Sequence, residues 1–280
     1  MVLDILQVVF VQRALVTGIA VAVICSVVGL FLVLRRQSLF GDALSHMAFG
    51  GIAVGFFTNT YPLWTAFIVS ILGALGIAKL RQSTKIPPDA AVAVMLSAGL
   101  ALGVVLVGLS GGFSVDLFSF LFGSILLVSV QDTIMILLVA AGILAVMAVL
   151  YKKLMYIAFD EEQAKVSGLQ VSKLSYLFIV IASITVIASI RLVGILLISS
   201  LIVIPAISAM MLGKGFKKTM MFAVSISVFS VVTGIIASYA ADIPPGGTIV
   251  LVTIAVFLAI LGWKSVKKAR LQQEAPATTQ

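Results

Sequence analysis

Ala14–Leu34 reads ALVTGIAVAVICSVVGLFLVL, 21 residues without a charge, and Arg35-Arg36 follow at once. A helix crossing the hydrocarbon needs about 20 mostly apolar residues, so this run has the length of a membrane span with two cations at one end. Eight more runs follow: Ala43–Phe57, Tyr61–Ala78, Ala90–Leu109, Thr133–Leu150, Leu174–Ile190, Leu192–Leu212, Thr219–Tyr239 and Gly247–Trp263. The fold class is therefore an all-α polytopic membrane protein of about nine transmembrane helices, with eight still possible. A further apolar stretch, Phe113–Val128, is interrupted by Asp116 and Gly123. It reads as a re-entrant or interfacial segment, which is tolerated where other helices bury it.

Composition agrees. The chain has 280 residues, 62% hydrophobic and 10% charged, against about 25% charged in a soluble domain, and its mean hydropathy is +1.27. A soluble globule of roughly 300 residues hides only about 75% of its chain surface, too little for this composition. Cys25 is the one cysteine, which excludes a disulfide scaffold. No cleavable signal peptide is expected, because the first apolar run is long and lacks a basic start and a small-residue cleavage site.

Threading the nine spans in order puts 16 of the 18 basic residues on one side and leaves Arg13 and Arg191 opposite. By the positive-inside rule that side is cytoplasmic, so the N-terminus is expected outside and the C-terminus in the cytoplasm. The net charge of +8 is then topology and attraction to anionic head groups, not a nucleic-acid surface.

The single domain, residues 1–280, divides at a polar cytoplasmic loop. Five spans (14–150) precede the loop (151–173), four (174–263) follow, and a tail (264–280) ends the chain. Within the loop, Phe159-Asp160-Glu161-Glu162-Gln163-Ala164-Lys165-Val166-Ser167-Gly168-Leu169 reads as a short helix. Its acids sit at the N-terminus, where the macrodipole is positive, and Gly168 sits where a C-terminal cap belongs. It is either a solvated connector or a docking helix for a cytoplasmic partner.

Ionisable residues inside a span are expensive and mark an ion or substrate path by default. Asp42 and His46, the only histidine, stand four apart and share a helix face. A carboxylate with an imidazole is a partial ligand set for zinc, manganese or iron. Asp42 paired with Arg35 or Arg36, and His46 bonded to a neighbouring helix, are the ordinary alternatives. Asp116 and Asp132 are possible entrance acids outside, or plain loop acids. Asp89, after Pro87-Pro88, reads as a helix cap, and Cys25 as inert. No phosphate-binding G-x-x-x-x-G-K-[ST] loop and no hydrolase signature occurs, so nucleotide hydrolysis by that route is not expected and a membrane enzyme has little to work with.

Arg35–Gly55, RRQSLFGDALSHMAFGGIAVG, resembles the signature of the metal-transport ABC permeases, the membrane subunits of bacterial zinc, manganese and iron importers. Ile86–Ala91 (IPPDAA), Asp116–Leu126 (DLFSFLFGSIL), Phe159–Leu169 and Val193–Leu197 through Ile204–Ala206 are similar to further family segments, in order along nearly the whole chain. The resemblance implies a permease in the plasma (inner) membrane of a prokaryote that moves a divalent metal, zinc or manganese, with no permanently bound cofactor. It implies a membrane dimer with a second permease copy, an extracellular metal-binding protein, and a separate cytoplasmic ABC ATPase. The docking residues would be Phe159, Asp160, Glu161, Glu162, Ala164 and Gly168. Asp42 and His46 match the family positions that hold the ion. Met47 departs from the alanine more usual there. The alternative function is a stand-alone secondary cation transporter or channel.

Overall fold

The computed structural model describes residues 8–83, 87–112, 115–124, 129–213 and 215–274. Among them are eleven α-helices and no strand, the outcome expected where lipid offers backbone groups no partner. In chain order they are α1 (Val9–Leu34), α2 (Phe40–Phe57), α3 (Pro62–Ser83), α4 (Pro88–Leu109), α5 (Val115–Phe122) and α6 (Val130–Phe159). There follow α7 (Glu161–Val166), α8 (Val171–Val193), α9 (Ile198–Met211), α10 (Phe216–Ala241) and α11 (Pro245–Glu274).

Among the described residues, eight helices are long and apolar enough to cross a membrane. The expected span Leu192–Leu212 is instead divided: α8 runs on to Val193, Gly194–Leu197 leave the helix, and α9 has 14 residues. At 1.5 Å per residue α9 is about 21 Å long, short of the roughly 30 Å hydrocarbon core by itself. Yet Phe216 at the start of α10 packs on Phe159, back at the end where α8 begins, so the broken segment and α9 together make a ninth crossing.

That break is where the re-entrant segment docks. The described part of Phe113–Val128 is the short helix α5 and its exit; residues 113–114 and 125–128 lie outside the described residues. Ile195 N–H donates to the Phe120 carbonyl at 3.0 Å, Leu196 N–H to Leu121 at 3.3 Å, and Ser124 N–H to Arg191 at 3.1 Å. Two interrupted stretches thus satisfy each other's backbone groups. Gly123 and Gly194 carry φ of 78° and 87°. A methyl group on either would collide with a carbonyl of the other strand, Leu192 or Leu121, so glycine is required twice over.

The polar loop is also more helical than expected. α6 continues through Tyr151–Phe159, with Leu154 and Ile157 buried on one face, and α11 continues to Glu274. Residues 275–280 are outside the described residues.

α1 forms the axis, packed by α6, α8, α9 and α10, while α2 lies between α3 and α4 and also touches α8 and α9. The apolar window of α2 is 72% buried at mean hydropathy 1.2, the lowest of the eight; those of α4 and α6 are each 28% buried at 2.5 and 2.8. A span surrounded by protein can carry glycine, serine, aspartate and histidine, whereas spans facing outward must suit lipid. The polar helix is the inner one.

Candidate metal site and coupling helix

The turn that launches α2 is set by how α1 ends. Arg36 adopts φ 56°, Gln37 N–H returns to the Leu32 carbonyl at 2.8 Å, and Arg36 N–H to Val33 at 3.0 Å. This is a Schellman cap with arginine where glycine is usual. It places Asp42 in the first turn of α2, where the helix dipole favours a negative charge.

Asp42 and His46 both lie half-buried on one face of α2, while Ala43, Leu44, Ser45, Met47 and Ala48 are buried around them. The Asp42 carboxylate is near enough to act electrostatically on the imidazole. His46 Nδ1 is buried without a hydrogen-bond partner, a costly state for a ring nitrogen unless another group takes it. Small residues hold this face in place. A methyl group on Gly99 of α4 would lie 2.6 Å from the His46 carbonyl oxygen and 2.6 Å from Met47 N, and one on Gly50 2.8 Å from the Gly99 carbonyl. On the other side, Ser70 of α3 donates to the Leu44 carbonyl at 3.4 Å. Met47 is directed at Gly73 of α3, away from the pair, so its thioether fills a packing gap. Among the described residues no group of three or more histidine, cysteine or acidic side chains converges; Asp42 and His46 stand as a pair.

The acids expected at the entrance fare differently. The Asp116 side chain lies outside the described residues. Asp132 is 8% exposed and fully engaged: it accepts from Ser129 N–H at 3.1 Å and Ser129 Oγ at 2.6 Å in a capping box, and it is ion-paired with Arg191. Its charge is neutralised in place, so it is a poor lure for cations. Arg191 also donates to Tyr61 Oη at 2.6 Å and lies 5.9 Å from the ring centres of both Tyr61 and Phe120. It therefore ties together the ends of α3, α5, α6 and α8. Sequence reasoning left Arg191 as a mere exception to the charge bias. The signal was there, since a lone arginine closing an apolar run needs a partner, but the partner is 59 residues away. Cys25 is buried and lies 3.2 Å from Ser189 Oγ.

The loop helix α7 is built as the sequence suggested. Asp160 caps it, accepting from Gln163 N–H at 2.9 Å. Gly168 (φ 80°) closes it in a Schellman motif, with Leu169 N–H on Ala164 O at 3.1 Å and Gly168 N–H on Lys165 O at 3.1 Å. Lys165 pairs with Glu161 at 2.8 Å, and that bond raises its ammonium above the usual lysine range. Ala164, expected among the docking residues, is fully buried against Ile157 and Val171 and anchors the helix. The apolar side chains turned outward are Phe159 (66% exposed) and Val166 (89%).

A bundle of hydrophobic spans, a polar inner helix carrying an acid–imidazole pair, and a short capped helix in the polar loop are the features of a membrane permease. Residues 7–264 match the ABC 3 transport family, and the chain belongs to that family, as a permease of the metal-transport type. It is 35% identical over 265 residues to a probable metal transport system membrane protein of Treponema pallidum, covering 95% of this chain and 99% of that one. It is 32% identical over 253 residues to the manganese transport system membrane protein MntC of Listeria innocua, covering 90% of each. Its fold superposes on PsaBC from Streptococcus pneumoniae, solved in complex with Fab, with a TM-score of 0.83 at 32% identity over 92% of this chain and 94% of that one.

Proposed function

We propose that the chain is the membrane-spanning subunit of an importer that moves a divalent transition metal, zinc or manganese, into the cytoplasm, energised by a separate ATPase subunit. The observation that carries this is the Asp42–His46 pair on the buried inner helix, with the His46 Nδ1 left without a partner. The manganese named for the Listeria innocua relative supports the cargo class, and a carboxylate–imidazole set suits either metal. Two ligands leave a four- to six-coordinate ion incomplete, so a second copy of the chain, or water, completes the shell; a membrane dimer puts two such pairs face to face. Asp116 remains a candidate at the entrance, where an extracellular binding protein releases the ion.

The chemistry is transient ligation. The carboxylate and neutral imidazole replace part of the hydration shell, and the hold stays weak enough to release. The ATPase docks on Phe159, Asp160, Glu161, Glu162 and Gly168 together with Val166, and its cycle moves α7. The charge bias sets the loop and C-terminus in the cytoplasm and the N-terminus outside the plasma membrane.

The test is uptake of manganese and of zinc into proteoliposomes holding the permease, its ATPase and the binding protein. Asp42→Ala and His46→Ala abolish uptake while the protein still folds and binds the ATPase. Unchanged uptake in either variant refutes the site. Uptake driven by an ion gradient with no ATPase present refutes the subunit assignment. Competition between the two metals in the same vesicles decides the cargo.

A further inference from the structure

The turn between α1 and α2 is wired to the cytoplasmic helix by contacts that the metal site and docking surface do not require. Arg35 Nη2 donates to Ser175 Oγ at 2.7 Å, and the guanidinium lies 5.4 Å from the ring centre of Phe178. Both partners sit in the first two turns of α8, directly after α7. From Phe178 a chain of ring contacts runs outward: Phe31 at 6.2 Å, then Phe216 at 5.5 Å from Phe31, and Phe159 at 6.4 Å from Phe216, with Tyr151 bracing Phe216 at 5.4 Å. Phe159 immediately precedes the cap of α7 and is exposed. In parallel, Glu161 of α7 shares a cavity of about 180 Å³ with Arg35, Gln37 and Ser175. Two routes from the docking helix therefore converge on one guanidinium, and Asp42 lies in the first turn of α2, seven residues beyond it.

We infer that Arg35 is the positioning residue through which movement of α7 and α8 resets the start of α2, and so the orientation of Asp42 and His46. The guanidinium suits the role. It is planar and permanently charged, and it bonds sideways to Ser175 while stacking on Phe178, so a displacement of α8 is passed on instead of absorbed. Arg36, held at positive φ in the Schellman turn, gives the segment after Arg35 little freedom to relax. Packed contacts between rigid elements carry such coupling, and its demonstration is an energetic measurement.

This inference rests on the importer reading, and the experiment separates the two. In proteoliposomes with the ATPase and binding protein, radioactive manganese imported is divided by ATP hydrolysed. Arg35→Gln and Phe178→Leu lower that ratio about tenfold, within the range of a typical coupling free energy. In Arg35→Gln, hydrolysis, ATPase binding and the melting temperature stay at wild-type levels; Phe178→Leu keeps hydrolysis and ATPase binding but melts lower, because its ring is fully buried. Arg35→Lys recovers part of the ratio, because an ammonium still donates to Ser175 and faces the Phe178 ring. Should Arg35→Gln fold poorly, Ser175→Ala removes one bond and shows a smaller fall in the same direction. A ratio equal to wild type in Arg35→Gln and Ser175→Ala overturns the inference. So does a parallel fall of import, hydrolysis and melting temperature, which marks a purely structural residue. A wild-type assembly that hydrolyses ATP and imports no metal overturns the importer reading itself.

Discussion

Replacing Asp132 by Asn tests the Arg191 clamp. The amide keeps an acceptor for Ser129 N–H, so the capping box survives and only the charge is removed. Arg191 then remains with its side chain 18% exposed and its Nε already without a partner. It keeps Tyr61 Oη and two aromatic faces, none of which carries a counter-charge. Removing one partner of a buried ion pair costs about 3–5 kcal/mol, because the other charge is left uncompensated. The pair is mostly but not wholly shielded, so the lower end, about 3 kcal/mol, is expected. At about 2–4 °C per kcal/mol for a chain near this size, the melting temperature in detergent falls on the order of 10 °C. Arg191→Met alone falls comparably, by stranding the carboxylate. The double variant, Asp132→Asn with Arg191→Met, leaves no charge to strand and melts above either single variant. Single losses that simply add in the double variant would refute the pairing argument, and so would an unchanged melting temperature in Asp132→Asn.

Four shorter expectations follow from the packing. Gly99→Ala drives a methyl group into the backbone at His46 and Met47, which costs about 1–3 kcal/mol of overpacking and lowers metal uptake. Gly142→Ala on α6 meets nothing within 4 Å and stabilises by about 0.5–1 kcal/mol; thermal melts of the two variants should move in opposite directions. Gly168→Ala meets no atom either, so its cost of about 1–2 kcal/mol is purely the left-handed backbone, read as loosened proteolytic protection of the α7–α8 junction and weaker ATPase co-purification. Cys25, buried beneath Ser189, should resist aqueous maleimide in the folded protein and react after denaturation.

Hydropathy found the helices because lipid imposes one requirement on every span, and it failed where that requirement is met another way. Leu192–Leu212 is apolar throughout, so no window average registers the break at Gly194–Leu197; only Gly194 hinted at it, and the backbone partners that make it tolerable belong to Phe120 and Leu121, some seventy residues earlier. Tyr151–Phe159 looked like loop because Lys152 and Lys153 outweighed the i, i+3 spacing of Leu154 and Ile157, which is what extends α6. Asp42 and His46 were legible as a pair from local spacing alone. What surrounds them was not, since the approach of Gly99 to His46 spans fifty-three residues and depends on which helices become neighbours. Ala164 shows the same limit on a smaller scale, for a six-residue helix does not declare which of its apolar side chains turns inward.

Arg35, at the end of α1, and Arg191, within α8, engage opposite ends of α8, and that gives α8 a particular mechanical character. At its outer end Arg191 binds it to α3, α5 and α6, and the Gly123–Gly194 interlock adds backbone bonds to the same junction. At its other end α8 meets the α1–α2 turn through one hydroxyl bond, one cation–aromatic contact and ring edges, and Val171 is buried against Ile157 and Ala164. With Arg35 as the coupling residue, a displacement of α7 would move the start of α8 more than its Arg191 end, which is held by an ion pair and a backbone interlock. α2 also packs against α8, and Asp42 and His46 lie in the half of α2 that follows the α1–α2 turn. In the proposed importer such a movement would open the Asp42–His46 pair towards the α7 side while the Arg191 end stays held, the asymmetry that inward release of an ion requires.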